Sequence, residues 1–291
     1  MDYRQGPTLG NASVSVPLRL RPLEIGDLLD ETFRMYRRHF LLFAGISVIL
    51  AIPSAALYGL ALAWFSTGLT QTSDSSDLGP VAGFLAAIGA ALLVNFLFLP
   101  FSHSAITYAA CESAMGRTVT AGGVVRGVLR RYFPLLGYWL LFNTITAYVA
   151  LLLCVAPFLL WLWVFVMWVA VTPAMFVENI GIGTAVSRSR QLVQGRWWRT
   201  FLILFLTYVL YFVVSIALGG FINLGQGLLS IVVSPFIASA ITLASGQVIA
   251  ALIAPIAQIV FVLIYFDLRV RREALDLFQM AYRLAVPAAG I

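Results

Sequence analysis

The chain has 291 residues, of which 61% are hydrophobic and 10% are charged, and its formal net charge is +6. Soluble domains are about 45–50% apolar and about 25% charged, so this composition excludes an ordinary water-soluble protein. All 18 basic residues are arginines that flank long apolar segments, a placement typical of membrane topology and lipid headgroup contact and not of nucleic-acid binding.

The chain begins with residues 1–17, which lack the basic and apolar parts of a cleaved signal peptide and are predicted to be a short disordered cytoplasmic tail. Residues 18–285 are predicted to form a single all-α membrane domain, because long apolar runs favour helices over the short alternating strands of a barrel. A helix crosses the hydrocarbon core with roughly 20 residues. Six transmembrane helices are predicted, at about 40–65, 81–111, 134–155, 157–177, 201–222 and 246–266.

Two apolar runs are longer than their crossings require. The second span continues without charge past its needed length, so we expect a bend near Pro100 or a projection of this helix into the cytoplasm. Residues 201–266 contain no charge and have arginines on both sides, so an even number of crossings is expected if both ends share a compartment. The piece at 228–244, which contains Pro235, is then predicted to be a re-entrant or interfacial segment.

Six spans place every arginine and both termini on one side of the membrane, whereas the outer loops carry only the charged residues Asp74 and Asp77. This segregation follows the positive-inside rule, so we predict that both termini and the arginine-bearing connections are cytoplasmic.

Most of the arginines lie in amphipathic helical patterns at 24–40, 118–133, 183–201 and 267–285, and the first three patterns lead directly into apolar spans. This order suggests a threefold unit of one interfacial helix and two crossings. The arginines predicted to contact anionic headgroups or an acidic partner protein are Arg34, Arg37, Arg38, Arg126, Arg130, Arg131, Arg188, Arg190, Arg269, Arg271 and Arg272. Asp267 is predicted to form an ion pair with one of them. The segments would mainly anchor and orient the bundle, with the docking of a soluble partner as the alternative.

The sequence contains no HExxH, GxxxxGK[ST] or GxGxxG motif and no GxSxG with suitable partners. His103 and Glu112 are nine residues apart and do not face each other on a helix. We therefore predict no catalytic, metal-binding or cofactor-binding residue and a protein that is not an enzyme. An intramembrane enzyme that recruits Glu112 and Glu178 is the less favoured alternative.

The uncharged polar residues inside the spans have two possible explanations. Interhelical hydrogen bonding is their simplest explanation. The alternative is a transporter or channel for a small solute or lipid, with a polar track formed by Asn95, Asn143, Asn223 and Gln258. Small residues at Gly79, Gly83, Ala86 and Ala90 form a close-packing ridge that would pack within the fold or against a second copy of the chain.

Three stretches resemble a known bacterial family: RPLEIGDLLDETFRMYRRHF near the start, VTPAMFVENIGIGTAVSRSRQLVQGRWWRTF in the middle and PIAQIVFVLIYFDLRVRREALDL near the end. The chain resembles glycerophosphoryl diester phosphodiesterase membrane-domain proteins over most of residues 20–280. In some members of that family a soluble barrel supplies the catalysis, and no such barrel is encoded here. The resemblance therefore implies a multi-pass protein of the bacterial inner membrane without an activity of its own. We expect a scaffold or a regulatory or assembly module that contacts anionic lipid and a partner protein through its arginine-rich helices.

Overall fold

The computed structural model describes residues 23–71, 79–152 and 155–273, and all regular structure in these ranges is helical. The predicted all-α class is thus confirmed. The helices are α1 (Ile25–Arg38), α2 (Phe40–Gln71), α3 (Gly79–Ala114), α4 (Ala121–Leu129), α5 (Tyr132–Leu152), α6 (Val155–Met167), α7 (Val171–Val177), α8 (Ile182–Val193), α9 (Trp197–Val232) and α10 (Pro235–Glu273). The predicted tail at 1–17 and the part of the last amphipathic segment beyond residue 273 lie outside the described residues.

Within the described ranges, five helical segments are long and apolar enough to cross a membrane. They are Phe40–Leu57, Val81–Ala114, Phe158–Val177, Trp197–Val232 and Ala244–Glu273. Large apolar side chains on their outer faces, such as Phe212 of α9 with 64% of its surface exposed, are suited to contact with lipid. The protein is therefore a multi-pass membrane protein by the length and composition of its helices. Helix α5, with 21 residues, is not among the five segments, so the count of six stays a prediction.

The core is built around the second half of α10. Nearly every side chain from Ile259 to Val270 is buried, because this part of the helix is apolar on all sides and packs against α1, α2, α3 and α9. Tyr265 and Asp267 are the polar members of this buried stretch. Both residues lie near the arginine-bearing end of α10.

The last two helices are longer than predicted. Helix α9 continues to Val232 and α10 begins at Pro235, so the expected irregular backbone at 228–244 is confined to a turn at Val233 and Ser234. Pro235 starts a helix instead of interrupting one, since the first helical position needs no backbone N–H. At 1.5 Å per residue, α9 spans about 54 Å, well beyond a hydrocarbon core of about 30 Å. Whether the tip of this hairpin turns back into the membrane stays a prediction.

Helix α3 continues through Pro100 over 36 residues, so this proline does not end the helix. The interruption instead falls in the span predicted at 157–177, where α6 ends at Met167 and α7 begins at Val171. The freed backbone groups at this break are bonded. The buried hydroxyl of Ser189 donates to the Met167 carbonyl at 2.7 Å and accepts from the Ala170 N–H at 3.2 Å. The Tyr138 hydroxyl donates to the Trp168 carbonyl at 3.3 Å. Such bonds are required wherever non-helical backbone lies at membrane depth.

We expect the substitution Ser189→Ala to lower the free energy of unfolding by about 1–3 kcal/mol, because it leaves a buried carbonyl and a buried N–H without their partner. Thermal unfolding in detergent measures the effect. Ser187→Ala is the matched control on the same helix, since the Ser187 hydroxyl is exposed and bonds only to Thr184 of its own turn. Equal stability of the two variants would contradict the assigned role of Ser189.

The order of the helices repeats three times. A short helix is followed by two long or paired ones in α1 with α2 and α3, in α4 with α5 and α6, and in α8 with α9 and α10. The two members of each pair pack against each other. This order agrees with the predicted unit of one interfacial helix and two crossings, and α7 is the additional element created by the break after α6.

Candidate functional site

Hydrogen bonds join five separate segments of the chain at one end of the bundle. Residue 23 and the start of α9 bond to the end of α10, the α4–α5 junction bonds to the turn before α8, and α8 bonds to residue 273. We call residue 23 and residues 117–131, 178–199 and 265–273 the arginine end. From Leu23, α1 runs back along α10, since the Tyr36 hydroxyl donates to the Leu252 carbonyl at 2.6 Å. The arginine-bearing connections around α4 and α8 therefore lie at the same end of the protein, as the predicted topology requires. Which side of the membrane this end faces stays a prediction.

One cluster at the arginine end surrounds the carboxylate of Asp267, whose side chain is almost fully buried. Arg271 donates through Nε to both carboxylate oxygens at 2.9 and 3.0 Å, and Arg199 lies 3.4 Å from the second oxygen. The backbone N–H of Leu23 donates to the same carboxylate at 2.9 Å. The Leu23 carbonyl accepts from Arg199 and Arg271 at 2.5 and 2.7 Å. The predicted ion pair of Asp267 is confirmed, and it fastens the start of α1 to α9 and α10.

A second cluster contains two carboxylates and two arginines. Glu178 accepts from Nε of Arg188 at 2.9 and 3.0 Å and from the Tyr265 hydroxyl at 2.9 Å. Glu273 accepts from Arg188 and, at 3.0 Å, from Arg269. Burial disfavours the charged form of Arg188, but its hydrogen bonds to the two glutamates outweigh burial and hold its pKa above the ordinary value. The cluster therefore joins α8 to α10 without leaving a net charge.

Arg131 closes the end of α7. Its guanidinium donates to the carbonyls of Met175 and Ile180 at 2.6 and 2.8 Å and also bonds to the Asn179 side chain. Asn179 has a positive φ of 56°, the left-handed conformation that asparagine tolerates better than most residues. Burial, followed by the like charge of Arg130, lowers the pKa of Arg131. The arginine nevertheless stays charged, because its pKa begins above about 12, and it fixes the turn that precedes α8.

The eleven arginines predicted to contact lipid or a partner separate into two groups. Arg131, Arg188, Arg269 and Arg271 are partly buried and donate to protein acceptors, and their external contact stays a prediction. The exposed members are Arg34, Arg37, Arg38, Arg126, Arg130, Arg190 and Arg272. Some exposed members also have neighbours in the protein, as in the pairing of Arg34 with Glu31 and the bond from Arg272 to the Gln194 carbonyl at 2.8 Å.

Helix α4 is held close to the bundle through one face. Val124 and Val128 are buried, and the Thr120 hydroxyl caps the first turn by accepting a backbone N–H at 3.3 Å. Gly127 permits a close approach to α3, because a Cβ at this position would lie 2.5 Å from the ring of Tyr108. The remaining faces of α4 are therefore turned away from the protein.

Those outer faces of α4 and the start of α5 carry an apolar row beside a basic row. Val125, Leu129 and Phe133 are exposed, with 59% of Leu129 and 81% of Phe133 accessible. Arg126 and Arg130, which directly follow Val125 and Leu129 in the sequence, are exposed as well. Residues four apart lie on the same side of a helix, so Val125 and Leu129 lie beside Arg126 and Arg130, and Phe133 follows on α5 after the turn. An apolar strip next to exposed arginines is the pattern of a helix that lies in a membrane interface.

A cavity of about 280 Å³ lies among α3, α5, α9, α10 and the break between α6 and α7. Asn143 and Gln258 line it, and His103 lines it as well. Asn95 and Asn223 do not line this cavity; Asn223 is exposed on α9 and bonds to its own helix. The four residues of the predicted polar track are thus brought together only in part. Sequence reasoning missed His103, whose lone position on an apolar helix gave no sign of a neighbouring cavity.

Among the described side chains, no group of three or more His, Cys, Asp or Glu residues could hold a metal ion. No protein family, curated protein or solved structure matches the chain.

Proposed function

We propose that the chain is a non-enzymatic membrane protein of the bacterial inner membrane whose arginine end faces the cytoplasm, binds anionic phospholipid headgroups and positions a partner protein there. One observation supports this function above the others, namely the apolar and basic rows on α4. One face of α4 packs on the bundle, and the opposite face is exposed. Its exposed leucine and phenylalanine would be poorly accommodated by water alone.

The energetics favour an interfacial position for α4. Exposure of Leu129 and Phe133 to water forgoes burial worth about 1.5–3 kcal/mol for each fully buried side chain. If the helix lies at the level of the headgroups, these side chains enter the apolar region. Arg126 and Arg130 can then reach lipid phosphates on their long side chains. Each arginine near an anionic surface contributes about 1 kcal/mol.

The double substitution Arg126→Gln and Arg130→Gln is expected to weaken the binding of phosphatidylglycerol by roughly 30-fold, since two contacts of about 1 kcal/mol are lost. Native mass spectrometry of the detergent-solubilised protein, titrated with phosphatidylglycerol or phosphatidylcholine, measures the bound lipid. Phosphatidylcholine binding should not change. The binding advantage of phosphatidylglycerol should fall as salt is raised.

The matched control is the double substitution Arg126→Lys and Arg130→Lys, which keeps both positive charges and should retain most of the preference for phosphatidylglycerol. The proposed function fails if the glutamine variant still binds phosphatidylglycerol as strongly as the unmodified protein.

The resemblance to glycerophosphoryl diester phosphodiesterase membrane-domain proteins is consistent with such a module and stays a prediction. A transporter is less favoured, because Asn95 and Asn223 lie apart from the cavity that Asn143 and Gln258 share. Outside α4, the exposed Arg190 of α8 can contact an acidic partner surface.

A further inference from the structure

The cavity between the spanning helices has the size and walls of a ligand site. Its volume of about 280 Å³ is several times the roughly 30 Å³ that one water occupies in the liquid. It approaches the range of about 300–1,000 Å³ that is common for small-molecule pockets. Seven aromatic side chains line it, from Tyr138 and Trp139 on α5 to Phe261 on α10. A wall of this kind binds apolar matter and leaves orientation to a few polar groups.

The electrostatics of the wall select an uncharged ligand. The lining residues include no Asp, Glu, Lys or Arg, so a charged headgroup placed here would have no counter-charge. Transfer of an ion into such surroundings is costly unless it is paired. The charged clusters of the arginine end involve other residues, so the cavity and the arginine end select different chemistry.

The polar groups of the wall can both donate and accept. The Thr107 hydroxyl lies 2.9 Å from the His103 carbonyl and 3.2 Å from the Gln258 amide oxygen, and these two acceptors share its one proton. The amide nitrogen of Gln258 is left as a donor toward the cavity. Asn143 uses its amide nitrogen to donate to the Trp139 carbonyl at 2.9 Å, which leaves the amide oxygen as an acceptor. His103 adds an imidazole ring to the same wall. A ligand with carbonyls alone would leave the Asn143 oxygen without a partner, whereas a hydroxyl beside a carbonyl satisfies both residues.

The cavity reaches the surface of the bundle through spanning helices. Three of its lining residues, Leu99 of α3, Asn143 of α5 and Tyr208 of α9, are exposed. Leu99 and Tyr208 both belong to segments that are long and apolar enough to cross a membrane. A ligand would therefore enter sideways, from the lipid phase.

From these observations we infer that the cavity binds the glycerol-ester part of an uncharged acylglycerol. A free hydroxyl of this ligand donates to the Asn143 amide oxygen, and an ester carbonyl accepts from Gln258 or His103. The aromatic wall contacts the first part of the acyl chain, and the rest of the chain extends into the bilayer. This lipid site is separate from the anionic-lipid contacts at the arginine end.

The test uses a monoacylglycerol that carries a photoreactive diazirine in its acyl chain, added to the full-length protein reconstituted in nanodiscs. We expect saturable labelling that unlabelled monoacylglycerol competes away. Gln258→Leu and Asn143→Leu should each reduce the labelling at least tenfold. A fatty acid with the same diazirine chain, which differs in its charged carboxylate, should label weakly.

Two substitutions of the same residue types serve as matched controls. Asn223→Leu removes an asparagine that makes the same bond to its own helix as Asn143, at 2.7 Å, but that does not line the cavity. Gln247→Leu makes the corresponding change on α10 away from the cavity. Both control variants should label like the unmodified protein. Thermal unfolding of all four variants identifies any that fail to fold, and of the two cavity positions the exposed Asn143 is less prone to that failure than Gln258.

Equal labelling of the cavity variants and the controls, or equal labelling by the fatty acid probe, would overturn the inference. The result is independent of the proposed function. The variant with Arg126→Gln and Arg130→Gln should still take up the monoacylglycerol, and Gln258→Leu should still bind phosphatidylglycerol.

Discussion

Replacement of Asp267 by asparagine is expected to lower the free energy of unfolding by about 3–5 kcal/mol, the range seen when one partner of a buried ion pair is removed. Asp267 is almost fully buried, with only 3% of the residue exposed. It lies between two arginines, Arg199 and Arg271. Without it, two positive charges would face each other across the Leu23 carbonyl, and the Leu23 N–H would lose its charged acceptor.

Thermal or denaturant unfolding in detergent measures this loss, and protease cleavage near α1 gives a second signal, because the cluster fastens the start of α1 to α10. Asp30→Asn on α1 is the control, since Asp30 is exposed and the same change of charge there should alter stability by less than about 1 kcal/mol. If Asp267→Asn proves no more damaging than Asp30→Asn, the cluster does not stabilise the fold as described.

The sequence was sufficient to predict the helical class and the convergence of the arginines, because both depend on strong and simple terms. Apolar runs of more than 20 residues must satisfy their backbone bonds in helices. Arginines stay where water and phosphates can reach them. Even the pairing of Asp267 was predictable, because Asp267 and Arg271 are four residues apart, as are Tyr265, Arg269 and Glu273, and such spacing aligns side chains on one helix face.

The break in the predicted fourth span could not be predicted because it depends on a distant partner. The sequence around Trp168 is apolar, and the bonds that make a non-helical backbone acceptable there come from the hydroxyls of Ser189, 22 residues after Met167, and of Tyr138. The extent of the interruption near Pro235 was also beyond the reach of local sequence. A proline in an apolar block suggests an interruption, and the chain does leave the helix at Val233 and Ser234, but Pro235 also suits the first turn of a helix and begins α10.

The sequence also did not predict which arginines bond within the protein and which are exposed. Arg130 and Arg131 are adjacent in a basic, amphipathic pattern, and both were predicted to contact lipid or a partner. The chain turns between α4 and α5, so one side chain is exposed and the other reaches the end of α7. Only the tertiary structure distinguishes the two.

This adjacent pair allows two roles to be separated with single substitutions of the same type. Arg131→Gln is expected to lower the free energy of unfolding by about 3 kcal/mol, because hydrogen bonds to charged groups contribute about 1.5–3 kcal/mol each and their effects overlap. It removes the donors to Met175 and Ile180 and the contact with Asn179. Arg130→Gln should leave stability within about 0.5 kcal/mol, as is usual for surface changes.

Lipid binding should show the reverse order. Arg130→Gln should reduce phosphatidylglycerol binding by roughly fivefold, the equivalent of one surface contact of about 1 kcal/mol, because its side chain is exposed beside the apolar row of α4. Arg131→Gln, measured below its lowered unfolding temperature, should bind phosphatidylglycerol almost normally, since its guanidinium already donates to protein carbonyls. Unfolding curves and native mass spectra of the two variants decide the matter. If both variants weaken lipid binding equally and neither is destabilised, Arg131 is a surface residue in solution and the end of α7 has no such cap.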